Sequence, residues 1–279
     1  MFHQTRRLRL VFVCLVALAG AQGVAGQERI QGATVIQGED VERFLATAKI
    51  VKLQGNPHPG VTGSRVATLE LNGVTRSANF KTIDEQKSGI TTFVNGTSEI
   101  QFQDSWRTEV AAYELDKLIG LGMVPATVKR TIGRDQGSLQ IWADSMMPES
   151  VRYAKKIGPP DVEAWNRWLF KVRLFDNLIY NVDRNLEHLL ITNDWRMILI
   201  DHSRTFRTQS ELKEPKTLTR FSTSLLDGIA KLDEKTMRGR MGDYLTAVQI
   251  KAVLQRRDRI LALARALSAA NGEANVLYP

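Results

Sequence analysis

Hydrophobic and polar positions along the chain change their period near its middle. Glu39–Lys49 has helical spacing, and a glycine- and proline-rich stretch, Gly55–Ser64, follows it. Arg65–Leu71 then alternates apolar with polar, Asn72-Gly73 is a strong hairpin signal, and Val74–Ile83 returns as a second strand. Asp104–Ile119 reads as a helix, with Asp104 as its cap and Gly120 as its exit. Val124–Arg130 and Gly137–Ala143 read as two more strands. The first half is therefore expected to be a sheet with one prominent helix.

The second half has helical periods. Pro159-Pro160-Asp161 opens a long helix in which Trp165, Leu169, Val172, Phe175, Leu178 and Ile179 share a face. Two short strands, His188–Thr192 and Arg196–Ile200, meet at an Asn193-Asp194 turn, and Tyr244–Ala270 closes the chain as helix. The polar stretch Asp144–Ser150 is the best lobe boundary. The expected organisation is residues 1–26 as a leader, 27–145 as a sheet lobe and 146–279 as a helical lobe, an α+β class.

Composition narrows the possibilities. The 279 residues are 43% hydrophobic and 24% charged, average for a globular chain, which excludes a disordered tail and a multi-spanning membrane protein. Lys and Arg number 38 against 30 Asp and Glu, a net of +8. Arg6, Arg7 and Arg9 supply three of these charges just before the apolar run Leu10–Leu18, and no acidic residue precedes Glu28. This is the pattern of a secretory signal peptide, with the run too short for a comfortable membrane span. Without it the net falls to +5, which is no nucleic-acid signal. Cys14, the sole cysteine, lies in that run, so a processed chain has neither disulfides nor a thiolate nucleophile. The expectation is an exported protein, periplasmic or secreted, with no stable membrane anchor and no nucleic-acid partner.

The segment that carries chemistry is Asn181-Val-Asp-Arg-Asn-Leu-Glu-His188, followed by Ile198-Leu-Ile-Asp-His-Ser203. A long helix ends, an Asp-Arg pair follows, and a hairpin returns a second aspartate, Asp201, to Asp183. This order resembles the catalytic and metal-binding loops of the protein-kinase-like superfamily, in the wording of its atypical branches: the phosphoinositide-kinase-like, HipA-like and secretory-pathway kinases. The resemblance is collinear from about Gly55 to Phe206. It implies a two-lobed fold, an N-lobe of antiparallel sheet with one main helix and a mostly helical C-lobe. It also implies ATP and a divalent metal as cofactors, with a hydroxyl-bearing substrate (protein, lipid or small molecule) as acceptor.

The roles the resemblance implies follow residue by residue. Lys81, ending a strand, would hold nucleotide phosphates, and Glu109 in the next helix would pair with it. Gly60, Gly63 and Ser64 belong to a loop whose amides would cover phosphates, and Trp142 lies in the segment that would meet adenine. Asp183 would take the acceptor's proton, Arg184 would brace its loop, and Asp201 would hold the metal. Individually, each residue has a plainer reading as a solvated charge, a turn or a helix cap.

Two positions depart from the family pattern. His188 stands where a metal-binding asparagine is expected, and His202-Ser203 replaces the usual residue and glycine after the metal-binding aspartate. Imidazole is a poor ligand for magnesium and a better one for manganese or zinc, which makes His188 a candidate ligand with altered metal preference. The leading expectation is an exported kinase-like phosphotransferase. An exported pseudokinase that binds or scaffolds is its rival. A zinc hydrolase built on Asp183, His188, Asp201 and His202 is a distant third.

Overall fold

A computed structural model describes residues 35–56, 63–93, 96 and 98–279. The signal-peptide reading of residues 1–26 and the candidate Gly60 lie outside the described residues.

Helix α1 (Glu39–Thr47) has Glu39, Asp40 and Glu42 in its first turn, where the helix dipole favours negative charge, and buries Val41, Phe44 and Leu45. Strands β1 (Lys49–Gly55), β2 (Arg65–Leu71) and β3 (Val74–Lys81) follow. Asn72 and Gly73, at φ 51° and 78°, turn β2 into β3 with both central residues in the left-handed region, as a tight hairpin requires. After the hairpin of β4 (Asp84–Thr92) and β5 (Ser98–Ser105) come α2 (Trp106–Ile119), β6 (Thr127–Ile132) and β7 (Asp135–Ile141). The main sheet is antiparallel throughout, in the order β1-β2-β3-β7-β6. Its inward positions Ala67, Leu69, Ala78, Phe80, Leu139 and Ile141 are buried, and α1 and α2 both pack on β6 and β7.

Beyond β8 (Met147–Pro148) and α3 (Glu149–Ala154), helix α4 (Val162–Ile179) starts at Asp161, whose carboxylate accepts from the Ala164 amide at 3.0 Å. Trp165, Val172, Phe175, Leu178 and Ile179 are buried along it. Strands β9 (Leu189–Ile191) and β10 (Met197–Leu199) form a small sheet with β8. Strand β11 (Phe221–Ser222), helices α5 (Thr223–Ala230), α6 (Glu234–Met241), α7 (Ala247–Asn271) and α8 (Glu273–Val276), and strand β12 (Leu277–Tyr278) complete the chain. Thr246 and Gln249 cap α7 reciprocally. Among the described residues, no helix is long and apolar enough to cross a membrane.

The α+β expectation holds, with local corrections. The cap of α2 is Ser105, whose hydroxyl accepts from the Arg107 amide at 3.2 Å; Asp104 belongs to β5, paired with Glu85. Strand β6 begins at Thr127 because Pro125, with no N–H, cannot join the ladder. His188 ends a 3-10 turn rather than starting a strand, since the Asn185 side chain accepts from the Glu187 amide at 2.9 Å and bends the chain first.

Candidate active site

Lys81 ends β3 opposite Ser138 of β7. The neighbouring Gly137 allows this closeness: a Cβ there would lie 2.2 Å from the Lys81 carbonyl oxygen. Lys81 is 4% exposed, and its Nζ donates to Glu109 Oε1 at 2.6 Å and to Asp201 Oδ1 at 2.7 Å.

Glu109 faces inward from the first turn of α2, and that turn is joined to the loop containing Asp201. The Ser105 amide and the Thr108 hydroxyl both donate to the Ser203 carbonyl, at 2.9 and 3.0 Å, and the His202 amide donates to Glu109 Oε2 at 2.9 Å. Asp201 has φ 58°, a left-handed conformation uncommon for a residue with a Cβ. Its Oδ1 also accepts from the Ser203 hydroxyl at 3.1 Å. Burial acts against charge on all three members of the triad, but their mutual attraction outweighs it. Lys81 therefore keeps its proton above the usual lysine range, and Glu109 and Asp201 ionise below the usual carboxylate range.

The loop that carries Asp183 begins where α4 stops at Tyr180, itself left-handed at φ 51°. Asp176, on the last turn of α4, accepts from Asn181 Nδ2 at 2.9 Å and from Arg184 Nε at 3.0 Å. Arg184 also donates to the Ile200 carbonyl at 2.8 Å, which ties the segment before Asp201 to the loop containing Asp183. The Asp183 amide donates to Asn181 Oδ1 at 2.9 Å, and its carboxylate lies 3.4 Å from Arg204 Nη1.

The two histidines have different surroundings. His202 is fully buried, and its Nε2 lies 3.1 Å from Arg184 Nη2. A guanidinium only donates, so Nε2 is the acceptor and the Nδ1 proton lies toward Glu109 Oε2, 3.7 Å away. His202 is thereby withdrawn from any position shared with Asp183, and the four-ligand hydrolase arrangement does not form. His188 Nε2 lies 3.6 Å from Asp201 Oδ2 and 3.1 Å from Asn185 Nδ2, and burial pushes its pKa down. An amide nitrogen only donates, so His188 Nε2 accepts from Asn185, and a divalent cation meeting both Asp201 Oδ2 and His188 Nε2 would have to displace that amide. Among the described residues, no group of three or more His, Cys, Asp or Glu side chains converges on one point. Two donors, one of them an imidazole, would suit a cation that shares its coordination with phosphate oxygens and water, manganese better than magnesium.

Lys81, Glu109, Asp201 and His188 thus meet at one place, with Asp183 and Arg184 on the adjoining loop. The remaining candidates make other contacts. The Ser64 hydroxyl accepts from Asn56 Nδ2 at 3.0 Å, Gly63 precedes it at φ 60°, and Trp142 is 42% exposed just past β7. Two residues here have no site role in the sequence, where Asp104 reads only as a helix cap. Asp104 is buried beside Ser203 and its carboxyl is pushed up by that burial. Arg204 touches Asp183, and only its position three residues after Asp201 could have marked it.

The structure superposes on that of the golgi casein kinase with a TM-score of 0.61 and 15% sequence identity, covering 85% of this chain and 76% of that one. This is an atypical protein-kinase-like fold. The Helicobacter pylori proinflammatory kinase CtkA shares it, at a TM-score of 0.50 and 11% identity over 81% of this chain and 97% of that one. No family model matches the sequence, and no curated relative does. In this chain Lys81 ends β3, Glu109 lies in the first turn of α2, and Asp201 follows the β9–β10 hairpin.

Proposed function

We propose that the chain is an exported phosphotransferase that moves the γ-phosphoryl group of ATP to a hydroxyl acceptor. The observation that carries this reading is the buried triad, Lys81 Nζ held 2.6 Å from Glu109 and 2.7 Å from Asp201. A lysine in such a cleft serves phosphate only if it is aimed, and Glu109 aims it. Lys81 meets the nucleotide phosphates, the backbone amides of Gly63 and Ser64 and of the family-expected Gly60 cover them, and Trp142 flanks the base. Asp201 Oδ2 and His188 would hold the divalent cation, whose charge, when bound, neutralises the phosphates. Asp183 takes the acceptor's proton, and Arg184 keeps its loop against the Asp201 segment. Residues 27–145 and 146–279 are the two lobes, and residues 1–26 direct export; the acceptor is a protein, lipid or small molecule.

His188 in place of an asparagine favours a second reading, an exported pseudokinase that acts as a binding or scaffolding module without turnover. Calorimetric titration with ATP and magnesium, manganese or zinc, together with γ-phosphate release, separates the two readings. Wild type is expected to prefer manganese or zinc, and His188→Asn to shift the preference toward magnesium. Binding without release in both proteins, or no nucleotide binding by either with any metal, replaces the first reading with the second.

A further inference from the structure

The β4–β5 hairpin is separate from the main sheet, yet one of its residues fastens it to the segment after Asp201. Glu99 gives one carboxylate oxygen to Arg204 and the other to Arg207. Arg207 also donates to the backbone carbonyls of Gln101 and Gln103. Gln101 has φ 55°, a left-handed backbone that a non-glycine residue keeps only where its surroundings enforce it. The Gln103 side chain donates to the Thr205 carbonyl at 3.1 Å.

These contacts immobilise Arg204. Its guanidinium lies over the rings of Phe93 and Phe102, at 5.7 and 5.4 Å from their centroids. One terminal nitrogen is on Glu99 and the other is 3.4 Å from Asp183 Oδ1. Its Nε is buried with no hydrogen-bond partner among the described residues. The catalytic loop offers no cation of its own at this place. Arg184 is turned inward to Asp176, and the next residue, Asn185, caps the following turn. Lys81 lies on the nucleotide side, paired with Asp201.

We propose that Arg204 is a catalytic cation on the acceptor side of the site, meeting the phosphoryl group in transit, and that Glu99 is the residue that positions it. The inference rests on the phosphotransfer reading above. In the step, the acceptor oxygen bonds to the γ-phosphorus while the bond from that phosphorus to the bridging oxygen breaks. The bonding pair leaves on the nucleoside diphosphate, and the acceptor's proton goes to Asp183. Charge then spreads over the phosphoryl oxygens beside Asp183, where the fixed guanidinium stands ready without reorganisation.

The test is equilibrium binding of ADP with manganese, with and without aluminium fluoride as a mimic of the phosphoryl group in flight. Wild type, Arg204→Met, Arg204→Lys and Glu99→Gln are compared. Fluoride is expected to tighten ADP binding to wild type. Arg204→Met should lose roughly tenfold or more of that tightening with its affinity for ADP alone unchanged. Arg204→Lys and Glu99→Gln should fall between, because an ammonium cannot bridge two carboxylates as a fork does. These two variants decide the matter if Arg204→Met does not fold. Equal tightening in every variant, or none in a wild type that binds ADP, overturns the inference alone. A wild type that does not bind ADP overturns the phosphotransfer reading and the inference with it.

Discussion

Lys81 is a cation enclosed with two carboxylates, so its removal leaves two negative charges close together in a poorly hydrated cleft. Breaking such an arrangement from one side costs about 3–5 kcal/mol. Lys81→Met is therefore expected to lose about 3 kcal/mol at neutral pH in chemical unfolding. The sign of its pH dependence follows from the shifts. Glu109 and Asp201 ionise more readily in the folded state, so the stability they contribute is present above the ordinary carboxylate pKa, about 4, and lost as pH falls below it. The proton on Lys81 is held more tightly in the folded state, so its share is present below about pH 10 and lost at higher pH. Wild type and Lys81→Met should differ most between these limits and converge below about pH 4. A gap independent of pH would show that packing, not charge, sets the loss. Lys81, Glu109, Asp183 and Asp201 were all legible in the sequence, because order along the chain marks them. Arg204 and Asp104 were not, since what distinguishes them is the company they keep across more than 90 residues.

At the scale of elements, the strands and helices that place the triad follow from local signals. Asn72-Gly73 turns β2 into β3, Asp161 starts α4, and the αL exit at Gly120 ends α2. The β4–β5 hairpin was missed. Ile100 and Phe102 alternate with polar neighbours in β5, but β4 is exposed along nearly its whole length and gives no apolar period. Two close contacts between elements yield predictions. Gly137→Ala puts a methyl group 2.2 Å from the Lys81 carbonyl, so β3 and β7 must separate where the lysine is placed. Overpacking of this kind costs about 1–3 kcal/mol, measurable by denaturant unfolding, and nucleotide affinity should fall with it. Unchanged stability and affinity would mean that the strands yield freely. Arg256, on α7, is fully buried and has its pKa pushed down to about 10 by that burial. It donates to the carbonyls of Leu178, Arg207 and Gln209, linking the end of α4 to the segment after Asp201. Arg256→Met strands these carbonyls and should cost about 2–4 kcal/mol in the same experiment. A loss under about 0.5 kcal/mol, the range of an ordinary surface change, would mean the link is dispensable.

At the scale of the whole molecule, the fold and the site rest on different supports. The fold is shared with solved kinases at 11–15% identity, too distant a likeness to transfer an activity. What points to phosphotransfer is this chain's own triad, its two loops and the contact between Arg204 and Asp183. The most direct test is the melting temperature of the purified protein titrated with ATP in magnesium, manganese or zinc, beside Asp201→Ala. A ligand that binds only the folded state stabilises it by about 2.7 kcal/mol at one hundred times its Kd. Wild type should melt at progressively higher temperature as ATP and its preferred metal are raised together, and Asp201→Ala should show no metal-linked rise. A wild type whose melting temperature stays flat with ATP in all three metals would contradict the nucleotide site, and with it the account of Lys81, Glu109 and Asp201.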